Sequence, residues 1–475
     1  MQLADLMEKS EAGSFSVLTF LLQKSQTHLH EVMEETGFSR ATLLKYISIL
    51  NDHAERADLS FSISVMEEGL VLQMDPSLKM REIRRVFLET SIKYRILIYL
   101  LYHQHFLAHQ LAGELLISEA TLNRHLSGLN QLLSEFQLAI QNGTLRGPEH
   151  QIRYFYFVLL RKIWSSQDWQ AEWHKRERQQ EITVLESICG APLSQGQVLD
   201  VVLWSHITQQ RLRVQGCQFQ LIEERMAFYF ETIFYQRLLC QSSQLFAGQH
   251  LVVGEKDSEL MIFFAFLLSQ GILPLHTMEY ILGFGGPVAE WTTQLIQKLK
   301  KVQVLQDYLD GQVTYELSKL CAQAYIFQGF LLQDAYKYQL QLRPPYLFAE
   351  RNQLAVAQQI YQELIGFQQG TSLDDKLLWE LLQILDYIAQ HEKRQWVIGL
   401  ELSGGALVYH RMATTLQRYL EYNQFITIEP YDRHQSYHLV VTNNPISNVK
   451  ASPLYYLKND LDWADLAAIR QLIYR

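Results

Sequence analysis

A chain of 475 residues, 48% hydrophobic and 19% charged, is far longer than one compact domain needs, and this composition excludes widespread disorder. Its four cysteines (Cys189, Cys217, Cys240, Cys321) are widely spaced with no CxxC pair, which argues against a zinc module or disulfide scaffold and fits a reducing compartment. The net charge of −9 excludes a uniformly basic nucleic-acid binder. Residues 1–165 hold 16 Lys and Arg against 18 Asp and Glu, so contact with phosphate requires a discrete basic stripe, because charge is screened within about 10 Å at moderate salt.

The amino end, "MQLADLMEKSEAGSF", is mixed and acidic, with no basic run leading into an apolar core. The longest apolar run, "LMIFFAFLL" at 260–268, is too short to span a bilayer. A cytoplasmic chain without membrane attachment is expected.

The first element with a clear grammar is a helix-turn-helix. "THLHEVMEET" predicts a short helix, Gly37 a sharp turn, and Ser39 an N-cap. A second helix follows from Arg40 to about Asn51, with Leu43, Leu44, Ile47 and Leu50 on its buried face. "FSISVMEEGLVLQM" (61–74) alternates on either side of a Glu-Gly turn and predicts a wing. Next comes "SLKMREIRRVFLETSIKYR", whose Lys79, Arg81, Arg84, Arg85, Lys93 and Arg95 supply the basic stripe. The plainer reading of that stretch is a solvated helix whose arginines pair with Glu82 and Glu89.

The same grammar then recurs 79 positions on. "ISEATLNRHLSGLN" (117–130) repeats "FSRATLLKYISILN" (38–51), pairing Ser118 with Ser39, Ala120 with Ala41, Thr121 with Thr42 and Leu122 with Leu43. Ser127, Leu129 and Asn130 likewise pair with Ser48, Leu50 and Asn51, and Arg124 stands where Lys45 does. Two unrelated amphipathic helices would share leucines but not Ser, Thr and Asn, so the unit is duplicated. "LAHQLAGELL" predicts the first helix of this copy, and "LAIQNGTLRG" (138–147) contains the Asn-Gly signal of a hairpin wing.

The second helix of such a unit sets its amino-terminal residues against base edges in the major groove. The expected DNA-facing residues are therefore Ser39, Arg40, Thr42, Lys45 and Tyr46 in the first copy, and Ser118, Glu119, Thr121, Asn123, Arg124 and His125 in the second. Arg81, Arg84 and Arg85 of the linker and Arg146 of the second wing are expected to meet phosphates.

Beyond residue 152 helix patterns dominate, from "RYFYFVLLRKIWSS" and "QVLDVVLWSHITQQRLRVQG" to "SELMIFFAFLLSQG", "QVTYELSKLCAQAYIFQGF" and "SLDDKLLWELLQILDYIAQHEKR". Two successive helical bundles meeting near the Gly-Gly-Pro at 285–287 account for them. From 396 the pattern changes to strand, loop, helix, strand, strand, helix, which indicates a small parallel α/β domain.

In this order of parts the chain resembles the Mga-like transcription regulators of Gram-positive pathogens. The phrases "HITQQRL", "SELMIFFAFLLSQG" and "DDKLLWELLQIL" carry the likeness through the middle. The resemblance implies a multidomain, mainly α chain: winged helix-turn-helix units at 1–76 and 77–160, PTS-regulation (PRD-like) bundles at 161–284 and 285–394, and an enzyme IIB-like α/β domain at 395–475. It further implies double-stranded DNA as partner, homodimerisation through the PRD-like and IIB-like domains, and contact with a phosphotransferase-system carrier protein. No enzymatic activity, cofactor or metal is expected.

The family's phosphorelay histidines would align with Trp204, Phe266 and Leu382, so that chemistry is either absent here or moved, and His206, two residues from the first position, is the remaining phospho-acceptor candidate. The loop "SGGA" (403–406) resembles the active loop of IIB proteins, yet no cysteine follows residue 321 and the nucleophile is missing. Two other functions stay open: an RNA-binding antiterminator, which also carries paired regulation domains, and a phosphocarrier.

Overall fold

Leu43, Ile47 and Leu50 fall on one stripe of a helix, all three are buried, and around that stripe the amino end closes into a winged helix. In the computed structural model this unit runs α1 (Lys9–Leu21), β1 (Gln26–His28), α2 (Leu29–Thr36), α3 (Arg40–Arg56), β2 (Phe61–Val65) and β3 (Gly69–Met74). The described residues are 1–22, 24, 26–66, 69–214, 216–246, 256–301, 311–329, 331, 380–385, 387–388, 396–403, 405–420, 426–444, 453–457 and 461–473. β3 pairs antiparallel with both β1 and β2, Leu70 opposite Thr27 and Leu72 opposite Ile63. Thr27 and His28, expected in the first helix of the motif, belong to β1, because their backbone pairs with the otherwise open edge of β3.

The second unit repeats this plan with α5 (Ile92–His103), α6 (Ala108–Glu114), α7 (Glu119–Leu133), β4 (Ala139–Gln141) and β5 (Thr144–Arg146), after a linker helix α4 (Met80–Thr90). Asn142 and Gly143 make the hairpin turn with φ of 50° and 73°, the positive pair that a two-residue turn between twisted strands requires. The counterpart of β1 has shrunk to one bridge, His105 to Thr144.

One position differs tellingly between the copies. Gly37 turns α2 into α3 with φ of 69°; its counterpart is Leu116, at φ of 57° and 92% exposed. A leucine in the left-handed region crowds its own backbone, and its exposed side chain gains little burial to offset that. Leu116→Gly is therefore expected to raise the stability of the second unit by about 0.5–1 kcal/mol, measured as a higher urea midpoint. A lower midpoint would show that the leucine makes a stabilising contact.

The helical body is built on α8 (Glu149–Leu160), which buries nearly its whole circumference: Tyr154, Phe155, Tyr156 and Phe157 are each at most 1% exposed. Around it stand α9 (Ser166–Trp173), α10 (Arg176–Cys189), α11 (Gln195–Arg211), α12 (Gln220–Met226), α13 (Ile233–Cys240), α14 (Ser242–Leu245), α15 (Lys256–Ser269) and α16 (Leu275–Phe284), followed by α17 (Pro287–Lys301) and α18 (Gly311–Ile326). α8, at the end of the expected 77–160 unit, also packs into the helical body. α18, in the expected 285–394 bundle, makes hydrogen bonds to earlier helices: Gln323 donates to the Tyr154 hydroxyl at 3.1 Å, and Tyr315 to the Leu273 carbonyl at 2.7 Å. The stretches 354–368 and 372–379, expected as helices of that second bundle, lie outside the described residues.

The described residues form two compact units: Met1–Leu295 with the described part of Asp310–Leu342 and Glu380, and a second holding 296–301 and the residues from Leu381 onward. In the second, β6 (Trp396–Glu401) runs parallel to both β7 (Ile426–Pro430) and β8 (Leu439–Thr442), and β8 is parallel to β9 (Leu454–Tyr456). α19 (Ala406–Leu420) and α20 (Trp463–Ile473) supply Met412, Leu416 and Ile469 to a core with Ile398, Leu400 and Val441. This is the parallel α/β arrangement that the strand-loop-helix rhythm predicts. At the strand ends Ser403 donates its N–H and hydroxyl to Asn443 Oδ1 at 2.7 and 3.0 Å, which ties down the loop; Gly404 lies outside the described residues. Among the described residues no helix is long and apolar enough to cross a membrane.

Candidate nucleic-acid interface

The repeated polar residues have structural employment, and it is the same in both copies. Ser39 Oγ caps α3 by accepting the Thr42 N–H at 3.3 Å and lies 2.9 Å from the Thr42 hydroxyl. Ser118 caps α7 through Thr121 in the same way, at 3.1 and 2.9 Å. Each cap satisfies an orphan donor at the helix start, a contribution of about 1 kcal/mol. Farther along the helix Asn51 Nδ2 donates to the Ile63 carbonyl and its Oδ1 accepts the Ile63 N–H, both at 2.9 Å. Asn130 grips Ile140 identically, at 3.1 and 2.6 Å.

Each asparagine thus clamps the first wing strand to the reader helix, fixing helix and wing as one rigid piece. Asn130→Ala removes two half-buried hydrogen bonds and should cost about 1–2 kcal/mol. Amide exchange at Ile140 should accelerate with it; unchanged exchange would mean the wing is held by other contacts.

With caps and clamps accounted for, the outward face of each reader helix is short. On α3 it presents Arg40, Ala41, Leu44, Lys45 and Ser48, and on α7 Glu119, Ala120, Asn123, Arg124 and Ser127, all exposed. Arg146 is exposed on β5 beside the second wing turn. Ala41 and Ala120, paired in the repeat and exposed in the first helical turn, were not among the expected DNA-facing residues. Their small side chains leave that turn free to approach a surface.

Other expected contacts are spoken for. Tyr46 does not face outward: its ring packs edge-on against Phe38 at 5.0 Å and lies over Gly13 of α1, where a Cβ would come within 2.5 Å of a ring carbon. His125 is 15% exposed and turned toward Glu8, 3.9 Å from its carboxylate. Thr42 and Thr121 are half-buried and engaged in their caps.

The linker arginines separate into two kinds. Arg85 is bound to Glu89 and, at 2.6 Å, to Asp168 of α9, so it holds α4 to the helical body and is withdrawn from the phosphate stripe. Arg81 and Arg84, both half-buried, line a cavity between α4 and α8.

His206, the phospho-acceptor candidate, is enclosed by its neighbours. It is 7% exposed, its ring set against Trp164 at 4.9 Å, with Nδ1 2.9 Å from Glu172 and Nε2 3.2 Å from the Tyr102 hydroxyl. Burial alone would push the Glu172 carboxyl up, but hydrogen bonds from His206 and Lys175 hold it down at about 2. The positions aligned with phosphorelay histidines serve packing: Trp204 and Phe266 stack on each other at 4.3 Å, and Leu382 is buried.

Comparison with curated proteins finds none that matches this chain. Residues 76–160, the stretch from the linker through α5–α7 and the second wing to α8, match the Mga helix-turn-helix domain.

Proposed function

We propose that the chain is a DNA-binding transcription regulator of the Mga-like type, gripping one duplex through two winged helix-turn-helix units. The observation that carries this reading is the match of 76–160 to the Mga helix-turn-helix domain, reinforced by a second unit, 1–76, with the same cap and the same asparagine clamp. Two linked weak readers act at high effective local concentration, which is what duplication contributes. Few of the exposed residues are bidentate base readers, so affinity comes mainly from phosphate contacts and DNA shape, with loose sequence preference and steep salt dependence.

The helical body is read as PRD-like and the carboxy-terminal unit as IIB-like, both without group-transfer chemistry, and the chain as cytoplasmic, non-enzymatic and cofactor-free. Leu407 and Trp463, 85% and 76% exposed on the carboxy-terminal unit, support a reading in which that unit takes part in homodimerisation. A phosphocarrier role is disfavoured by the enclosure of His206 and the stacking of Trp204 on Phe266. The RNA-binding antiterminator is the alternative that a hairpin RNA probe separates from this reading.

Fluorescence anisotropy of the full chain against labelled duplex DNA and a hairpin RNA, at several salt concentrations, tests the reading. Tighter binding to duplex, weakening steeply with salt, is expected. Preference for the hairpin, or no binding to either, would overturn it.

A further inference from the structure

The two winged units share their caps, their clamps and their buried leucines, and a contrast between them lies at exposed positions around the start of each reader helix. Gly37, Arg40 and Leu44 of the first copy stand where Leu116, Glu119 and Asn123 stand in the second, and all of them are exposed. Arg40 to Glu119 reverses the charge. Between these positions Ala41 and Ala120 are kept, and the cation at Lys45 is kept as Arg124. The side chains of Arg40, Lys45, Glu119, Asn123 and Arg124 have no hydrogen bond or ion pair among the described residues.

Leu116 is the least expected of these residues. Its N–H donates to the Gly113 carbonyl at 3.2 Å, and the Ile117 N–H to the Ala112 carbonyl at 3.0 Å, the pair of bonds that closes a helix over a left-handed residue. Glycine suits that place, as Gly37 does in the first copy. Leucine in its stead is the most exposed large apolar side chain among the described residues, so neither the turn nor the core accounts for it. It stands two residues before the cap Ser118, within about 7 Å of it along the chain, and so flanks the end of α7 that a helix-turn-helix unit sets into the major groove.

Glu119 has an ordinary role, since a carboxylate at a helix start is favoured by the helix dipole. It is nevertheless an acid on a surface read as facing a polyanion. A carboxylate repels phosphate oxygens, and the base group that it accepts from in the major groove is the cytosine amine. Leucine has no use for phosphate either; what it matches there is the methyl group of thymine, and Ala120, exposed two residues past the cap, adds a second small apolar group. These residue types suit base edges, whereas Arg40 at the matching place in α3 suits phosphate or guanine.

We propose that Leu116 and Glu119 set the sequence preference of the second unit, Leu116 by seating against a thymine methyl group and Glu119 by accepting a hydrogen bond from a cytosine amine. The two units then read unlike half-sites, although one is a copy of the other. This rests on the DNA-binding reading above and adds to it the bases that one unit selects.

Selection by the full chain from duplexes with a randomised centre gives its preferred site, which is expected to have two unlike halves. Uracil in place of each thymine in turn then removes one methyl group at a time. At one position the parent chain should weaken about fourfold, the worth of one buried methyl group, and Leu116→Gly should not respond there. If Leu116→Gly does not fold, Leu116→Ala serves the same comparison. Glu119→Gln should lose about tenfold of the preference for cytosine at one base pair and keep its affinity for unselected duplex. A site built of one half repeated, no selected preference, or the same uracil response in parent and Leu116 variant overturns the proposal. So does a cytosine preference that survives Glu119→Gln. No binding of any duplex by the parent chain defeats the DNA-binding reading and the base assignment together, whereas duplex binding without these preferences defeats the base assignment alone. In that case the exposed leucine is left to a protein partner.

Discussion

Replacing Arg153 with methionine is expected to destabilise the helical body by about 3–5 kcal/mol, the usual consequence of leaving a buried charge without its partner. Arg153 is 1% exposed and sits between two buried carboxylates, with Nε 2.9 Å from Glu149 and Nη2 2.6 Å from Glu259. Glu149 is also gripped by Arg211 at 2.7 and 3.0 Å, so removing Arg153 strands Glu259 far more than Glu149. The double variant Arg153→Met/Glu259→Leu removes both buried charges and should recover most of the loss, because an apolar pair of similar volume replaces the ion pair at little net cost. Circular-dichroism melting of parent, single and double variants reads this directly. A single variant that melts with the parent would mean that the network contributes no net stability.

The same network sets an acid limit. Burial alone would raise the Glu149 carboxyl, but Arg211 and Arg153 together hold it at about 2, against 4.5 for an ordinary glutamate. A carboxyl whose folded value is depressed contributes stability fully above its unfolded value. That contribution is lost as pH falls from about 4.5 toward 2. In Arg153→Met the depression weakens, so acid unfolding should begin at higher pH than in the parent chain.

The winged units were legible because their repeated residues do two jobs. Leu43 with Leu122, and Leu50 with Leu129, gave the helical period, and all four are fully buried. Ser39 and Ser118 gave the helix starts, which begin at the following residue in both copies. What the repeat could not reveal was the reason for Asn51 and Asn130. An asparagine where a helix is expected to end signals a cap or turn, whereas α3 runs on to Arg56 and the asparagine in each copy holds a strand ten or twelve residues on.

The helical body was legible as helix, while the neighbours of each helix were not. A helix buried on all sides has no polar face to mark which neighbour it serves, and α8 is such a helix. Gly285 and Gly286, with φ of 97° and 93°, do make a turn where the sequence has Gly-Gly-Pro. A turn, however, says only that the chain changes direction, and α18 returns to the core it had left.

The site was harder to read than the fold, for a related reason. Helical periodicity assigns a face, and Tyr46 and His125 fall near the boundary of the buried stripe, where a neighbour decides the outcome. For Tyr46 that neighbour is Gly13, some thirty residues earlier, and for His125 it is Glu8, more than a hundred earlier. Among the linker arginines, the pairing of Arg85 with Glu89 was available from their four-residue spacing, but the pull of Asp168 was not.

Those assignments sharpen the expectation for DNA. Lys45→Ala and Arg124→Ala should each weaken duplex binding about tenfold, and the double variant about a hundredfold, since the two residues lie in separate modules and should act nearly independently. If both contact phosphates, the slope of log affinity against log salt should fall by about 0.9 for each, and weakening should be uniform across sequences. If Arg124 reads a base instead, the slope should hold nearly constant while preference at one position relaxes. Arg85→Ala supplies the contrast: it should loosen α4 from α9 and leave the DNA salt slope unchanged, because Glu89 and Asp168 already occupy its guanidinium. Wild-type affinity in the Lys45→Ala/Arg124→Ala double variant would remove α3 and α7 as the reading helices. A large effect from one residue alone would mean that only one winged unit engages the duplex while the other positions it.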